Sequence, residues 1–325
     1  MRAAWYERQG PAAEVLQVGD LPAPEPGRGE VRVRIRLSGI NPGDTKKRSG
    51  WLGSSMAAAR IVPHSDGAGV VDSVGAGVDE GRVGQRVWVW GAQSYRPHGT
   101  AAEMTVVPDD HAVPLPDEVS DEVGACLGIP GITAHRAVFG DGPVTGTTVL
   151  VHGVLGGVGS LAAQLARWGG ATVIGTVRHE TDLGSVDPSL ATHAVALDAP
   201  DIAAMIREHA PEGVDRVVEV SLSDNVDLDV AVLAVGGVLA AYASRLDRPE
   251  LSFWPMLFNN ITLRLLGSDD FPPAAKQLAA AELTSAAAEG AFAIPIAELL
   301  PLDQIAAAHD RVDAGGAGRV LLTIP

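Results

Sequence analysis

The feature that most constrains this chain is the run Val149–Gly159, VLVHGVLGGVG. Thr148–Val151 is continuously apolar, the pattern of a strand covered on both faces. Glycines follow at 153, 156, 157 and 159, and then Leu161–Trp168 carries apolar residues at helical spacing until Gly169–Gly170 stops it. A strand, a tight glycine turn and a helix in that order let a backbone approach a pyrophosphate closely. The helix N-terminus then offers free N–H groups and the positive end of its dipole. A second strand, Thr172–Val177, follows about 20 residues on, as a dinucleotide fold requires. Gly153, Gly156, Gly157, Val158 and Gly159 are therefore expected to contact a dinucleotide.

Which dinucleotide depends on the end of the second strand. An Asp or Glu there would bind a ribose 2′-hydroxyl, whereas an Arg nearby would accommodate a 2′-phosphate. The sequence reads Gly175-Thr176-Val177-Arg178-His179-Glu180. Thr176 is small and polar, and Arg178 can present a bidentate fork to a phosphate. NADPH is expected over NADH on these two residues, with Glu180 and Asp182 opposing it if they face the phosphate.

The rest of the chain frames this turn. A length of 325 residues exceeds one ordinary hydrophobic core and predicts two domains. Val31–Ser38 (VRVRIRLS) alternates apolar and polar, and Val70–Val74, Arg86–Trp90 and Ala102–Val107 are short runs between Gly, Pro or Asp, so the N-terminal part reads as a small antiparallel, barrel-like unit. After Asp121 the rhythm becomes βαβ: helix Ile202–His209, strand Arg216–Val220, helix Val226–Leu233 and strand Gly237–Tyr242 imply a doubly wound parallel sheet. The tail predicts helices near 274–289 and 302–313 and a last strand, Arg319–Ile324.

Charge and composition exclude several classes. The formal charge of −16 would repel a phosphate backbone, so nucleic acid is not an expected partner. No apolar run approaches the length that spans a bilayer, Met1–Gly10 has no signal-peptide core, and the single cysteine, Cys126, suits a reducing cytoplasm.

Further segments carry a resemblance. Asn41–Gly50 (NPGDTKKRSG), Gly128–Val138 (GIPGITAHRAV), the glycine turn, and the C-terminal AAHDRV run with its GAGR together resemble the zinc-independent quinone oxidoreductase, zeta-crystallin-like branch of the medium-chain dehydrogenase/reductases. The resemblance runs in order over nearly the whole chain. It implies an α/β protein with a GroES-like β-rich catalytic domain from residues 1–122 and 271–325, enclosing a Rossmann domain over 123–270. It implies that the cleft between them takes nicotinamide and substrate, and that a Rossmann-domain edge strand pairs across a homodimer. Asn41, Asp44 and Arg48 would lie on a loop along the substrate side, with Asn41 donating to a quinone or enone oxygen. Thr133 would lie beside the nicotinamide, and Ser268 would approach its carboxamide. Lys46 departs from relatives, which often carry tyrosine there, and is expected either to bind an anionic group on the acceptor or, with Lys47, to be a solvated lysine balancing an acidic surface.

The zinc branch places a cysteine after the strand equivalent to Val31–Ser38 and a Gly-His-Glu before Gly-x-Gly. Here the places read Gly39-Ile40-Asn41 and His64-Ser65-Asp66, so no metal is expected. His135 and His152 read as packed residues and Cys126 as a buried, inert thiol. The expected activity is a metal-free, NADPH-dependent reduction of a quinone or other conjugated carbonyl. An enoyl or enone reductase of secondary metabolism shares fold and cofactor, and a cofactor-binding protein with little catalysis is the reading from another class.

Overall fold

The computed structural model describes residues 1–325. The chain forms two compact units, one from Met1–Pro130 together with Ala280–Pro325 and one from Gly131–Ala279.

In the first unit, Glu30–Gly39 is the organising strand of a seven-stranded sheet. It pairs antiparallel with Asp66–Val74, Met104–Pro108 and Arg319–Thr323. The sequence alternation has the expected consequence: Val31, Val33, Ile35 and Leu37 are buried, while Arg34 and Arg36 face solvent. Val31, Val33 and Ile35 pack with Val71, Val87, Val89, Val107 and Leu322. Each such side chain, fully buried, contributes on the order of 1.5–3 kcal/mol. The C-terminal strand Arg319–Thr323 enters this sheet in parallel with Ile296–Pro301, so both chain ends build one core.

One expected loop is a helix. Asn41-Pro-Gly-Asp has the composition of a turn, yet Pro42–Ser49 is α-helical. Asn41 is its N-cap, Pro42 occupies the first turn, where its missing N–H costs nothing, and the Asp44 carboxylate accepts from the Asn41 backbone N–H at 2.8 Å. Gly50 closes the helix at φ 76°, the left-handed conformation that glycine adopts without penalty. Lys46 and Lys47 are therefore successive helix positions, not residues alternating on an extended loop.

The second unit is a six-stranded, all-parallel sheet. Thr148–Val151 lies inside it, with Thr172–Val177 and His193–Ala196 on one side. Val214–Glu219, Leu233–Ala241 and Thr262–Leu265 follow on the other. This is the doubly wound arrangement, and the reversal between Thr148–Val151 and Val214–Glu219 is its topological switch point, where such sheets bind ligands beyond the strand carboxyl ends. Val149, Leu150 and Val151 are wholly buried, as a continuous apolar run requires. Helix Gly157–Trp168 covers the sheet with Leu161, Ala162, Leu165 and Ala166.

Candidate functional site

The glycine turn stands at the switch point. Gly153 takes φ +63°, and its carbonyl accepts from Gly156 N–H at 2.8 Å. A Cβ on Gly159 would sit 2.2 Å from that same carbonyl, so only glycine lets helix and turn close to this distance. A Cβ on Gly156 would meet the same carbonyl at 3.2 Å, tight but far less crowded than at Gly159, so this glycine also keeps an approach open. Gly156 is the N-cap of Gly157–Trp168, and Gly153, Gly156, Gly157 and Val158 are half-buried beside free first-turn amides. This is a cradle that side chains would fill, and it fits a dinucleotide pyrophosphate.

Residues after the second strand divide. Thr176 is fully buried, and its hydroxyl bonds to His152 Nδ1 at 3.0 Å and accepts from Gly153 N–H at 3.2 Å. Thr176, expected to bear on the coenzyme choice, has its oxygen engaged inside the fold, beneath the turn. Arg178, two residues on, is exposed just past the end of Thr172–Val177. Asp198 fastens the following segment by accepting from Glu180 N–H at 3.0 Å and pairing with His179 at 3.1 Å. Thr133 is buried in helix Ile132–Phe139, and Ser268 is half-buried in the short turn Ser268–Asp270 after the edge strand. His135 is buried against the Phe139 ring, as expected of a packed residue.

Sequence reasoning took His152 as structural and missed its acidic partners. Glu219 and Asp229 are fully buried beside it, at 3.4 and 2.8 Å from Nε2. Burial raises the Glu219 carboxyl to about 7, against the opposing pull of His152. The one legible signal was an acid ending the apolar strand Arg-Val-Val-Glu.

The first unit gathers a second buried polar group. Asn41 donates to Asp66 Oδ2 at 2.6 Å and its Oδ1 accepts from Arg319 at 2.8 Å, so its amide is oriented and retains one N–H. Asp66 also accepts from Ile129 N–H at 2.9 Å, yet burial and then the nearby Asp44 raise its carboxyl to about 7. Arg48 is buried, and each of its nitrogens donates, to Gly10 O at 2.6 Å, Asp313 at 2.9 Å and His309 Nδ1 at 3.2 Å. Arg48, expected on the substrate side, thus ties the helix to both chain ends through all three of its nitrogens. The Lys46 ammonium lies 4.5 Å from the centroid of the Trp51 ring, which is 47% exposed.

Arg48 also sets the direction of a buried hydrogen-bond line. Because arginine only donates, His309 Nδ1 accepts. Burial lowers His309 to about 3 and His64 well below its ordinary value, so both rings are neutral. His309 Nε2–H then donates to His64 Nε2 at 2.9 Å, and His64 Nδ1–H to Ser38 Oγ at 2.8 Å. Ser38 donates in turn to Thr100 Oγ1 at 2.7 Å, and Thr100 to the Asp66 carbonyl at 2.6 Å. His64 holds its place with φ 75°, an uncommon conformation for a residue with a side chain.

These bonds bear on zinc. Both His64 nitrogens and both Asp66 oxygens are committed, and Ser65 stands where the metal-binding histidine would fall. The chain's one thiol, Cys126, is buried and its pKa is pushed up by that burial. The residues at this place do not fit a zinc ion.

Comparison with known proteins agrees with the geometry. The alcohol dehydrogenase GroES-like domain family matches residues 27–117, and the zinc-binding dehydrogenase family matches residues 157–280. Quinone oxidoreductase of Rattus norvegicus is 35% identical over 71% of this chain and 69% of its own length. This chain belongs to the zinc-independent quinone oxidoreductase branch of the medium-chain dehydrogenase/reductases. Quinone oxidoreductase of Homo sapiens matches at 29% identity over 98% of this chain and 96% of its own. A mycobacterial protein solved in complex with NADPH superposes with a TM-score of 0.86 at 29% identity, covering 99% of this chain and 100% of that one. The protein is thus an oxidoreductase of a family that binds nicotinamide coenzymes, and its two units are the GroES-like and Rossmann-like parts of that family.

Proposed function

We propose that this enzyme uses NADPH to reduce a quinone or another conjugated carbonyl, without a metal ion. The observation that carries the reading is the glycine turn at the switch point, closed by Gly159 and open at Gly156, in a chain of the quinone oxidoreductase family. The second unit would hold the coenzyme through Gly153, Gly156, Gly157, Val158 and Gly159, with Thr133 and Ser268 toward the nicotinamide. Arg178 is the exposed cation nearest the end of the second strand and would pair with the 2′-phosphate, and a relative solved with NADPH supports that choice.

The bound coenzyme supplies a hydride. The first unit would supply the acceptor's site. The remaining Asn41 amide N–H, oriented by Asp66 and Arg319, would donate to the carbonyl oxygen as negative charge develops on it, the task a Lewis acid performs in zinc relatives. Asp44 supports Asn41 through the cap. The chain would form a homodimer through the edge strand Thr262–Leu265, where Leu265 is 69% exposed.

The experiment is NADPH oxidation by the purified, chelator-treated enzyme with a panel of quinones, enals and enoyl thioesters. Turnover is expected with quinones or enals. Turnover confined to enoyl thioesters would move the enzyme to the enoyl reductases, and activity lost to the chelator would restore a metal.

A further inference from the structure

Three strands and a helix of the second unit bring polar side chains to one dry point beneath the glycine turn. His152 follows Thr148–Val151, Thr176 comes from Thr172–Val177, Glu219 ends Val214–Glu219, and Asn225 and Asp229 come from helix Leu222–Val232. His152, Thr176, Glu219 and Asp229 are all fully buried. Asn225 donates to both Glu219 oxygens at 3.1 Å, and the Ser221 N–H donates to the same carboxylate. Burial and then Glu219 push the neighbouring Tyr242 phenol upward, so it stays neutral.

A hydrogen inventory gives this group a direction. The Thr176 oxygen already accepts the Gly153 N–H, and its own proton has one partner, His152 Nδ1 at 3.0 Å. Nδ1 therefore accepts, the imidazole proton sits on Nε2, and it is donated to Asp229 Oδ1 at 2.8 Å. Burial pulls the His152 pKa down, but Asp229 and Glu219 outweigh it, so the net shift is upward. With Nδ1 accepting, the imidazole carries its proton on Nε2, between the two carboxylates. A carboxylate thus fixes a histidine tautomer, the histidine fixes a hydroxyl, and the hydroxyl holds a backbone amide. The amide is that of Gly153, the left-handed residue at which the turn begins.

We propose that Asp229 and His152 are positioning residues for the coenzyme turn, aiming the Gly153 N–H through Thr176 and so holding the turn in the shape that receives a pyrophosphate. The inference rests on the reading that this turn binds the coenzyme. Neither residue is exposed to touch the coenzyme itself, and the hydrogen bond that joins them to the turn is the one through the threonine oxygen. Asp229→Asn keeps the shape but loses the carboxylate charge, and its amide can meet Nε2 with either Oδ1 or Nδ2, so the tautomer that accepts from Thr176 is no longer enforced.

The test is a double-mutant cycle on coenzyme affinity, with Kd for NADPH and NADH measured by fluorescence titration of the full chain. Asp229→Asn and Thr176→Val should each raise Kd about tenfold, the scale of one strong hydrogen bond. The double variant should be no weaker than Thr176→Val alone, because both changes cut the same line. Thr176→Ser should restore the wild-type Kd, and kcat at saturating coenzyme should change little in every variant. If Asp229→Asn does not fold, the Thr176→Val and Thr176→Ser pair still decides. Additive losses in the double variant, or variants that bind as the wild type does, would overturn the proposal while leaving the coenzyme reading intact. A wild-type chain that binds neither NADPH nor NADH would overturn that reading instead. A stoichiometric divalent ion that disappears in His152→Gln would make the cluster a metal site and overturn the proposal as well.

Discussion

Single residues at the turn divide the work between packing and recognition. Gly159 has no room for a methyl group, since its Cβ would collide with the Gly153 carbonyl at 2.2 Å. Gly159→Ala should therefore lower stability as well as coenzyme affinity. A Cβ on Gly156 would meet the Gly153 carbonyl at 3.2 Å, a tight contact that a shift of a few tenths of an ångström relieves, and its φ of −83° strains no residue. Gly156→Val should leave the thermal midpoint nearly unchanged yet abolish coenzyme binding, because its branches would occupy the pyrophosphate approach. Melting curves read beside coenzyme titrations separate the two variants, and a Gly156→Val enzyme with wild-type affinity would contradict the assignment. On the proposed reading Arg178 would carry the coenzyme preference. Arg178→Ala should weaken NADPH binding by about 1.5–3 kcal/mol, as for a hydrogen bond to a charged group, and leave NADH unaffected. An equal loss for both coenzymes would remove Arg178 from the 2′-phosphate. The glycine turn and the position of Arg178 just past the second strand were legible in the sequence, since local spacing alone specifies them. The inward turn of Thr176 was not, because its partner His152 lies 24 residues away, just past the end of another strand.

At the level of elements, local pattern carried far wherever one face of a strand or helix decides the outcome. Thr148–Val151, Thr172–Val177 and Ile202–His209 have the bounds that their apolar spacing predicts. The helix Pro42–Ser49 shows where pattern fails. It has almost no apolar face, its buried side chains being Asp44, Thr45 and Arg48, and it is held by a cap and by Arg48 bonds that reach residues 10, 309 and 313. Hydrophobic periodicity cannot report a helix fixed by polar contacts from distant chain. The same helix places Lys46 over Trp51, a contact worth roughly 0.5–1 kcal/mol at an exposed site. Lys46→Met should cost about that much stability in urea denaturation and leave kcat/KM for a neutral quinone unchanged. A loss confined to carboxylated or sulfonated acceptors would instead put the ammonium against the substrate.

The whole molecule carries two opposing sets of buried titratable groups, and its stability should follow them with pH. His309 and His64 are neutral in the fold, with His309 lowered from 6.5 to about 3. The unfolded chain takes up those protons near 6.5 and the folded chain does not, so stability should fall as pH drops from 6.5 toward 3. The slope is at most about 1.4 kcal/mol per pH unit for each histidine. Asp66 and Glu219 act the other way. Their folded carboxyls keep protons up to about 7, while the unfolded groups release them near 3.8 and 4.5, so their cost grows as pH rises through that interval. His309→Asn, whose amide can accept from Arg48 and donate to His64, should flatten the acid limb. An unchanged limb in urea denaturation across this range would show that His309 is not the group responsible.

The central claim is hydride transfer from a nicotinamide held by the glycine turn to a conjugated carbonyl. Its most direct test is kcat/KM for NADPH with one quinone, compared between coenzyme carrying hydrogen or deuterium at each face of nicotinamide C4. Deuterium on one face should slow turnover by a primary isotope effect well above unity, and deuterium on the other should have almost none. No isotope effect from either face, in an enzyme that binds NADPH normally and under conditions where chemistry limits the rate, would contradict the account.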